Sequence, residues 1–346
     1  MKSAAPWARV FERSLKAMAR SSVRAGTRAV GLGLKTQRDK GQPPAGAGDW
    51  IAGIAIGPAG ARRYRLYRPP DVKFGERFPL MVMLHGCGQD SNSFANSTRM
   101  NRIAARERFL VLYPEQDRLA NAQGCWNWFE TRAGRAAGEL QLILGAVEQV
   151  CGLYSADRDR IAVAGLSAGA SMAALLVTRN PGRFKAVVMH SGIPPGSARS
   201  GLSALAAMHG HGVAQPLPAH AKANTTPWPP LLVIHGGRDQ TVAASNGHAA
   251  VRVWAEAAGA SPLALRGVQR GQRHAMTITD FKAGAATVAS LVVVPLLGHA
   301  WSGGAASHPY GDAKGPDASR MAWSFAATQF SRGNEKSPPD PAGLIV

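Results

Sequence analysis

Residues 161–174 read Ile-Ala-Val-Ala-Gly-Leu-Ser-Ala-Gly-Ala-Ser-Met-Ala-Ala. An apolar, β-prone run enters this stretch, and an Ala-rich, helix-prone run leaves it. Between them lies Gly165-Leu166-Ser167-Ala168-Gly169, a GxSxG pentapeptide. A strand that turns into a helix this abruptly forces the central residue into a strained conformation. Glycines two before and two after it remove the side chains that would clash. Such a turn exposes the Ser167 hydroxyl at a helix N-terminus, where free N–H groups and the helix dipole favour developing negative charge. Ser167 is therefore read as a nucleophile rather than as a plain N-cap.

Around this turn the chain alternates short β-rich runs with helical stretches. Expected strands are 64–67, 80–84, 110–113, 161–164, 186–189, 231–234 and 291–294, and expected helices include 139–150 and 168–178. Several strands are unbroken Val, Ile and Leu runs, as in a parallel sheet buried on both faces. The fold class that follows is α/β, a mostly parallel twisted sheet flanked by helices. Residues 196–230 lack strand patterning and read as a long loop or small lid. Three parts are expected: a basic leader over 1–47, a catalytic domain over 48–333, and a Pro-rich tail over 334–346.

A nucleophilic serine needs a base and an orienting acid, and on this kind of sheet they follow in the order Ser, acid, His. Asp239 lies in Leu231-Leu-Val-Ile-His-Gly-Gly-Arg-Asp239, within five residues of an apolar strand. Asp280 is a weaker rival, because no buried strand leads into it. His299 lies in Leu291-Val-Val-Val-Pro-Leu-Leu-Gly-His299, again just past an apolar run. His274 lies in a polar stretch, His211 and His220 lie in the loop or lid, and His190 and His235 end strands before or beside the acid. His299 would take the serine proton, and Asp239 would fix the tautomer and stabilise the imidazolium. His85-Gly-Cys-Gly-Gln89 follows another apolar strand. Its glycines let backbone approach a carbonyl oxygen, so the N–H groups of Cys87 and Ala168 are the expected oxyanion donors. Trp126 and Trp128, and Trp301 beyond His299, are candidates for the apolar walls of a substrate pocket.

Composition narrows the class further. The chain has 346 residues, 45% of them hydrophobic, which is enough for a large core and excludes wholesale disorder. No apolar run is long enough to cross a bilayer. Forty basic residues against 21 acidic give +19, an excess that favours anionic partners. Ten basic residues against two acidic place +8 in residues 1–40. There Trp7, Val10, Phe11, Leu15 and Met18 recur at helical spacing, as in a basic amphipathic helix suited to an anionic granule or membrane surface. Basic residues recur too often there for a secretory signal, so a cytoplasmic, granule-associated location is expected, with secretion as the alternative. The three cysteines, Cys87, Cys125 and Cys151, are too few for a disulfide scaffold. No metal-ligand spacing is present, the chemistry needs no cofactor, and nucleic acid is not the expected partner.

HGCGQ (85–89), CWNWF (125–129), GLSAG (165–169), HGGRDQTV (235–242), GHAWSGG (298–304) and GPDASRMAWSF (315–325) together resemble the poly(3-hydroxybutyrate) depolymerase family. These are α/β-hydrolase esterases, grouped with feruloyl and acetylxylan esterases. The resemblance spans roughly residues 60–330. It implies Ser167, Asp239 and His299 as a triad, Cys87 and Ala168 as the oxyanion hole, and a disulfide between Cys87 and Cys125. A cytosolic location would instead keep those thiols reduced. The expected activity is carboxylester hydrolysis of polyhydroxybutyrate or its oligomers through an acyl-enzyme. The rivals are a feruloyl or acetylxylan esterase, a peptidase on the same fold, and a non-catalytic cationic protein that binds granules or nucleic acid.

Overall fold

The computed structural model describes residues 44, 46–212 and 226–334. The leader's amphipathic stretch, His220, and the tail beyond Asn334 lie outside the described residues. The sheet begins with β1 (Asp49–Gly57), β2 (Gly60–Arg68), β3 (Phe78–Leu84), β4 (Leu110–Pro114), β5 (Ala156–Leu166) and β6 (Ala186–His190). It continues with β7 (Leu231–Gly236), β8 (Ser261–Pro262), β9 (Arg266–Val268), β10 (Met276–Ala283) and β11 (Ala286–Val294). Its order is β1-β2-β4-β3-β5-β6-β7-β11-β10-β8, with β9 also on β10. The six strands from β4 to β11 in that order run parallel, and antiparallel strands flank them at both ends. A parallel strand needs a crossover, and helices supply it.

Those helices are α1 (Ser91–Thr98), α2 (Met100–Glu107), α3 (Arg135–Leu153), α4 (Ala168–Arg179), α5 (Gly201–Met208), α6 (Ser245–Ala258) and α7 (Ala318–Asn334). Strand β3 shows how they divide. Leu80, Val82 and Leu84 point into a core shared with α3, α4 and α6. Met81 and Met83 point into a second core shared with α1, α2 and α7. Every residue of β3 is buried, which is why its sequence shows no polar alternation. Among the described residues no helix is long and apolar enough to cross a membrane.

All seven expected strands and both expected helices are present. The sequence reading passed over β1 and β10. Strand β1, Asp-Trp-Ile-Ala-Gly-Ile-Ala-Ile-Gly, is diluted by Gly and Ala, which weaken strand propensity. Strand β10 carries Thr, Asp and Lys and reads as polar. Asp280 sits inside β10, accepting from Ser290 Oγ at 2.5 Å and pairing with Arg266 at 2.9 Å. Within 196–230 the structure forms α5, started by a Ser200 capping box on Ser203. Residues 213–225 of that segment lie outside the description.

Candidate active site

At the end of β5, Ser167 has φ 56° and ψ −120°, a conformation that costs energy for any residue with a side chain. Both flanking glycines are required. A Cβ on Gly165 would lie 2.3 Å from the Gly169 carbonyl carbon, and one on Gly169 would lie 2.1 Å from the Leu84 carbonyl oxygen. Strand β5, helix α4 and strand β3 therefore meet too closely for any other residue. Ser167 N–H donates to His190 O at 2.9 Å, which pins the turn to β6.

Two strands away, β7 ends at Gly236 and the next turn carries Asp239. Its Oδ1 accepts from the N–H groups of Thr241 (2.9 Å) and Val242 (2.8 Å). Its Oδ2 accepts from His299 Nδ1 at 2.8 Å. Burial alone would raise this carboxyl, but the His299 hydrogen bond and charge, with smaller help from His235 and Val242 N–H, hold it below its ordinary range. Asp239 is thus a carboxylate, and its bond to Nδ1–H leaves Nε2 of His299 with a lone pair. His299 stands in the loop after β11, the strand next to β7. That loop touches the β7 turn directly: a Cβ on Gly236 would lie 2.3 Å from Leu297 O. No hydrogen bond joins Ser167 Oγ to His299 in this structure. In enzymes of this kind the serine–imidazole hydrogen bond often forms fully only with substrate bound.

Two other histidines hold these parts in place. His190 is fully buried, and its Nε2 accepts from Ser302 N–H at 3.0 Å while its ring stacks on Trp301. One residue therefore ties the Ser167 turn, through its carbonyl, to the segment just past His299, through its ring. Burial, with lesser contributions from the charges of His235 and His299, drives His190 down to about 3, so it stays a neutral acceptor. His85 does the same for the glycine-rich loop. Its Nε2 accepts from Gln116 N–H at 3.0 Å, leaving Nδ1–H to donate to Gly86 O at 2.8 Å. The Gly86 carbonyl and the Cys87 N–H belong to one peptide unit, so this bond sets the plane of the expected oxyanion donor. Gly86 and Ser167 are neighbours: a Cβ on Gly86 would lie 3.6 Å from Ser167 Cβ. Among the described residues no hydrogen bond occupies Cys87 N–H, whereas those of Gly86, Gly88 and Gln89 are all engaged.

Behind this loop Cys87 and Cys125 form a disulfide. Cys151 is free and half-buried. Trp126 Nε1–H donates to His85 O at 3.0 Å. Below it lies a buried polar chain in which Arg62 bonds Gln116, and Gln116 bonds both Cys125 O and Glu139. Glu139 also accepts from both nitrogens of Asn127. Burial raises Glu139 and lowers Arg62, each against the pull of its partners. The expectation that the tryptophans wall a substrate pocket fails. Trp126 and Trp301 are 0% exposed and Trp128 is 7% exposed, so they pack the core and brace the loops. Clustered aromatic residues near a site look alike in sequence whichever way they face. His85 and His190 were visible in the sequence as strand-ending histidines, but which atoms they bond depends on neighbours far along the chain. No cluster of three or more side chains suited to a metal occurs among the described residues.

The parallel sheet, the strained serine turn after β5, and an acid and a histidine after β7 and β11 define an α/β-hydrolase. Residues 62–260 match the family model described as "Esterase PHB depolymerase", and the chain belongs to that family. The matched stretch takes in Ser167 and Asp239 and stops before His299, so the place of the histidine comes from the geometry. The chain is 32% identical over 176 residues to poly(3-hydroxyalkanoate) depolymerase C of Paucimonas lemoignei, an alignment covering 49% of this chain and 42% of that one. It is 27% identical over 210 residues to a probable acetylxylan esterase A of Aspergillus clavatus, covering 57% and 67%. Among solved structures, an acetyl xylan esterase from Aspergillus awamori superposes with TM-score 0.60 at 18% identity, covering 73% of this chain and 94% of that one. At that identity the likeness is one of fold.

Proposed function

We propose that the protein is a serine carboxylester hydrolase that cleaves poly(3-hydroxybutyrate) or 3-hydroxybutyrate oligomers. The observation that carries the reading is the 2.8 Å Asp239–His299 bond at the same sheet edge as a serine held at φ 56°. His299 Nε2 accepts the Ser167 proton as Oγ attacks the ester carbonyl. The N–H groups of Cys87 and Ala168 receive the oxyanion. The alcohol leaves with the proton from His299, and a water deprotonated by the same ring then releases the acid. The depolymerase relative supports a hydroxyalkanoate substrate. An acetylxylan esterase relative and a feruloyl esterase relative support the second reading, an acetyl or feruloyl ester of a polysaccharide.

A substrate panel decides between them: amorphous polymer, hydroxybutyrate trimer, acetylated xylan and methyl ferulate, each with wild type and Ser167→Ala. Turnover of polymer or trimer at least tenfold above the other esters, abolished by Ser167→Ala, is expected. Preference for the polysaccharide esters refutes the substrate. Undiminished activity of the folded variant refutes the mechanism. The leader belongs to the same proposal, as an anchor to an anionic granule in the cytoplasm. Deleting residues 1–45 should then weaken granule co-sedimentation at low salt, and unchanged binding rejects the anchor.

A further inference from the structure

Strands β4, β3, β5, β6, β7 and β11 all end at the edge that carries Ser167. At about 4.8 Å per strand their carboxyl ends span roughly 24 Å. The loops leaving this edge are unusual in charge. Arg118 and Arg132 follow β4, Arg199 follows β6 and Arg238 follows β7, and all four are exposed. Among the described residues none of them has an ion-pair partner. Every carboxylate on the same loops is at least partly covered. Glu115 pairs with Arg63, Glu130 pairs with Arg135, and Asp239 is buried against His299. Asp117 and Asp312 accept backbone N–H groups within their own turns, and Asp317 accepts one at the start of α7. Among the described residues, the fully exposed charged side chains on these loops are therefore all cationic.

The same loops, with the first turn of α5, expose leucines. Leu119, next to Arg118, is 96% exposed; Leu202, three residues after Arg199, is 66% exposed; Leu296, three before His299, is 48% exposed. Scattered exposed leucines are ordinary. Leucines interleaved with unpaired arginines on one face fit a surface that is anionic outside and apolar just beneath. A nucleic acid would satisfy the arginines and leave the leucines against phosphate and water.

We infer that the catalytic face itself is an interfacial docking surface, seating on an anionic amphiphile layer with Arg118, Arg132, Arg199 and Arg238 at the headgroups and Leu119, Leu202 and Leu296 inserted. This orients the serine turn toward esters lying under that layer, whatever the leader does. The probe is the full-length protein with vesicles of phosphatidylglycerol and phosphatidylcholine in equal parts, against pure phosphatidylcholine. The triple variant R118Q/R132Q/R199Q is expected to partition onto the anionic vesicles roughly 100-fold more weakly at low salt, from a typical contribution of each basic residue near an anionic leaflet. Its hydrolysis of soluble p-nitrophenyl butyrate should be unchanged. Binding carried by the leader alone leaves partitioning unaltered and overturns the proposal.

Insertion is read separately. Leu119→Cys in a Cys151→Ser background, labelled with an environment-sensitive dye, should shift to shorter wavelength on anionic vesicles only. Emission that stays aqueous while the protein is bound overturns the proposal. So does duplex DNA binding that the triple variant loses, in the absence of vesicle binding. Vesicle binding and dye emission do not require turnover, so they stand or fall apart from the esterase reading.

Discussion

The disulfide between Cys87 and Cys125 closes a loop with a sequence separation of 38, and one of its ends is the expected oxyanion donor. Two effects of breaking it can be separated. Opening a loop of this length returns about 13 cal/mol/K to the unfolded chain, or about 4 kcal/mol at 25 °C. For a domain spanning residues 48–333, at about 2.1 cal/mol/K of unfolding entropy per residue, that corresponds to a fall in Tm of about 6–7 °C. In the folded state the loop keeps its other ties: Gly88 N–H to Gln123 O, Gln116 N–H to His85, and Trp126 Nε1–H to His85 O. At about 1 kcal/mol each, they hold the Gly86–Cys87 peptide in place without the covalent link. Reduction, or the variant C87S/C125S, should therefore lower Tm by that amount while leaving kcat on p-nitrophenyl butyrate at 25 °C within about threefold, because the donor itself is retained. Thermal unfolding with and without reductant, with kcat measured alongside, tests this. A Tm shift under about 2 °C would refute the loop-entropy reasoning. A kcat loss of 100-fold or more would show that the disulfide, not the hydrogen bonds, holds the oxyanion donor.

Asp239→Asn removes the acceptor that selects the Nδ1–H tautomer of His299 and should cut kcat by about 10⁴ with little change in KM, as steady-state kinetics will show. His190→Phe keeps the bulk but strands the Ser302 N–H, so kcat should fall at least tenfold and stability by about 1–3 kcal/mol; equal activity would mean that the His299 loop is set elsewhere. Stability should also fall with acid. His190 titrates near 6.5 when unfolded and is depressed to about 3 when folded, and burial lowers His85 and His235 as well. The unfolded chain therefore binds more protons below pH 6.5. Denaturant melts should show stability intact above that pH and declining as pH drops toward 3, by up to about 1.4 kcal/mol per pH unit for each such histidine. A flat profile between pH 6.5 and 4 would contradict it.

Much of the fold was legible because it is written in contiguous residues. The apolar runs of β3, β5, β6 and β7 are buried on both faces, so their sequence carries no competing signal. The turn at Ser167 is likewise local, since its two glycines, strand and helix are adjacent. Asp239 and His299 could be chosen because each follows such a strand within a few residues. What the sequence concealed was direction. Trp126, Trp128 and Trp301 sit beside site residues in the chain, yet face inward, since a large ring near a sheet end gains more from enclosure than from a wet cleft. The work of His190 and His85 was hidden for the opposite reason. Their partners, Ser302 and Gln116, lie 112 and 31 positions away, and no local pattern encodes such a pairing. Strand β10 was missed because an edge region tolerates Thr, Asp and Lys where a central strand would not.

Ser167, Asp239 and His299 follow β5, β7 and β11, in chain order. A ribosome making this protein from its N-terminus finishes the serine turn about 130 residues before the histidine it depends on. The backbone clamp on that histidine's loop, at Ser302, emerges later still. A chain halted before β11 thus contains Ser167 without the histidine proposed to take its proton. Under the proposed triad, hydrolytic competence cannot precede the synthesis of His299 and of the Ser302 N–H that positions its loop.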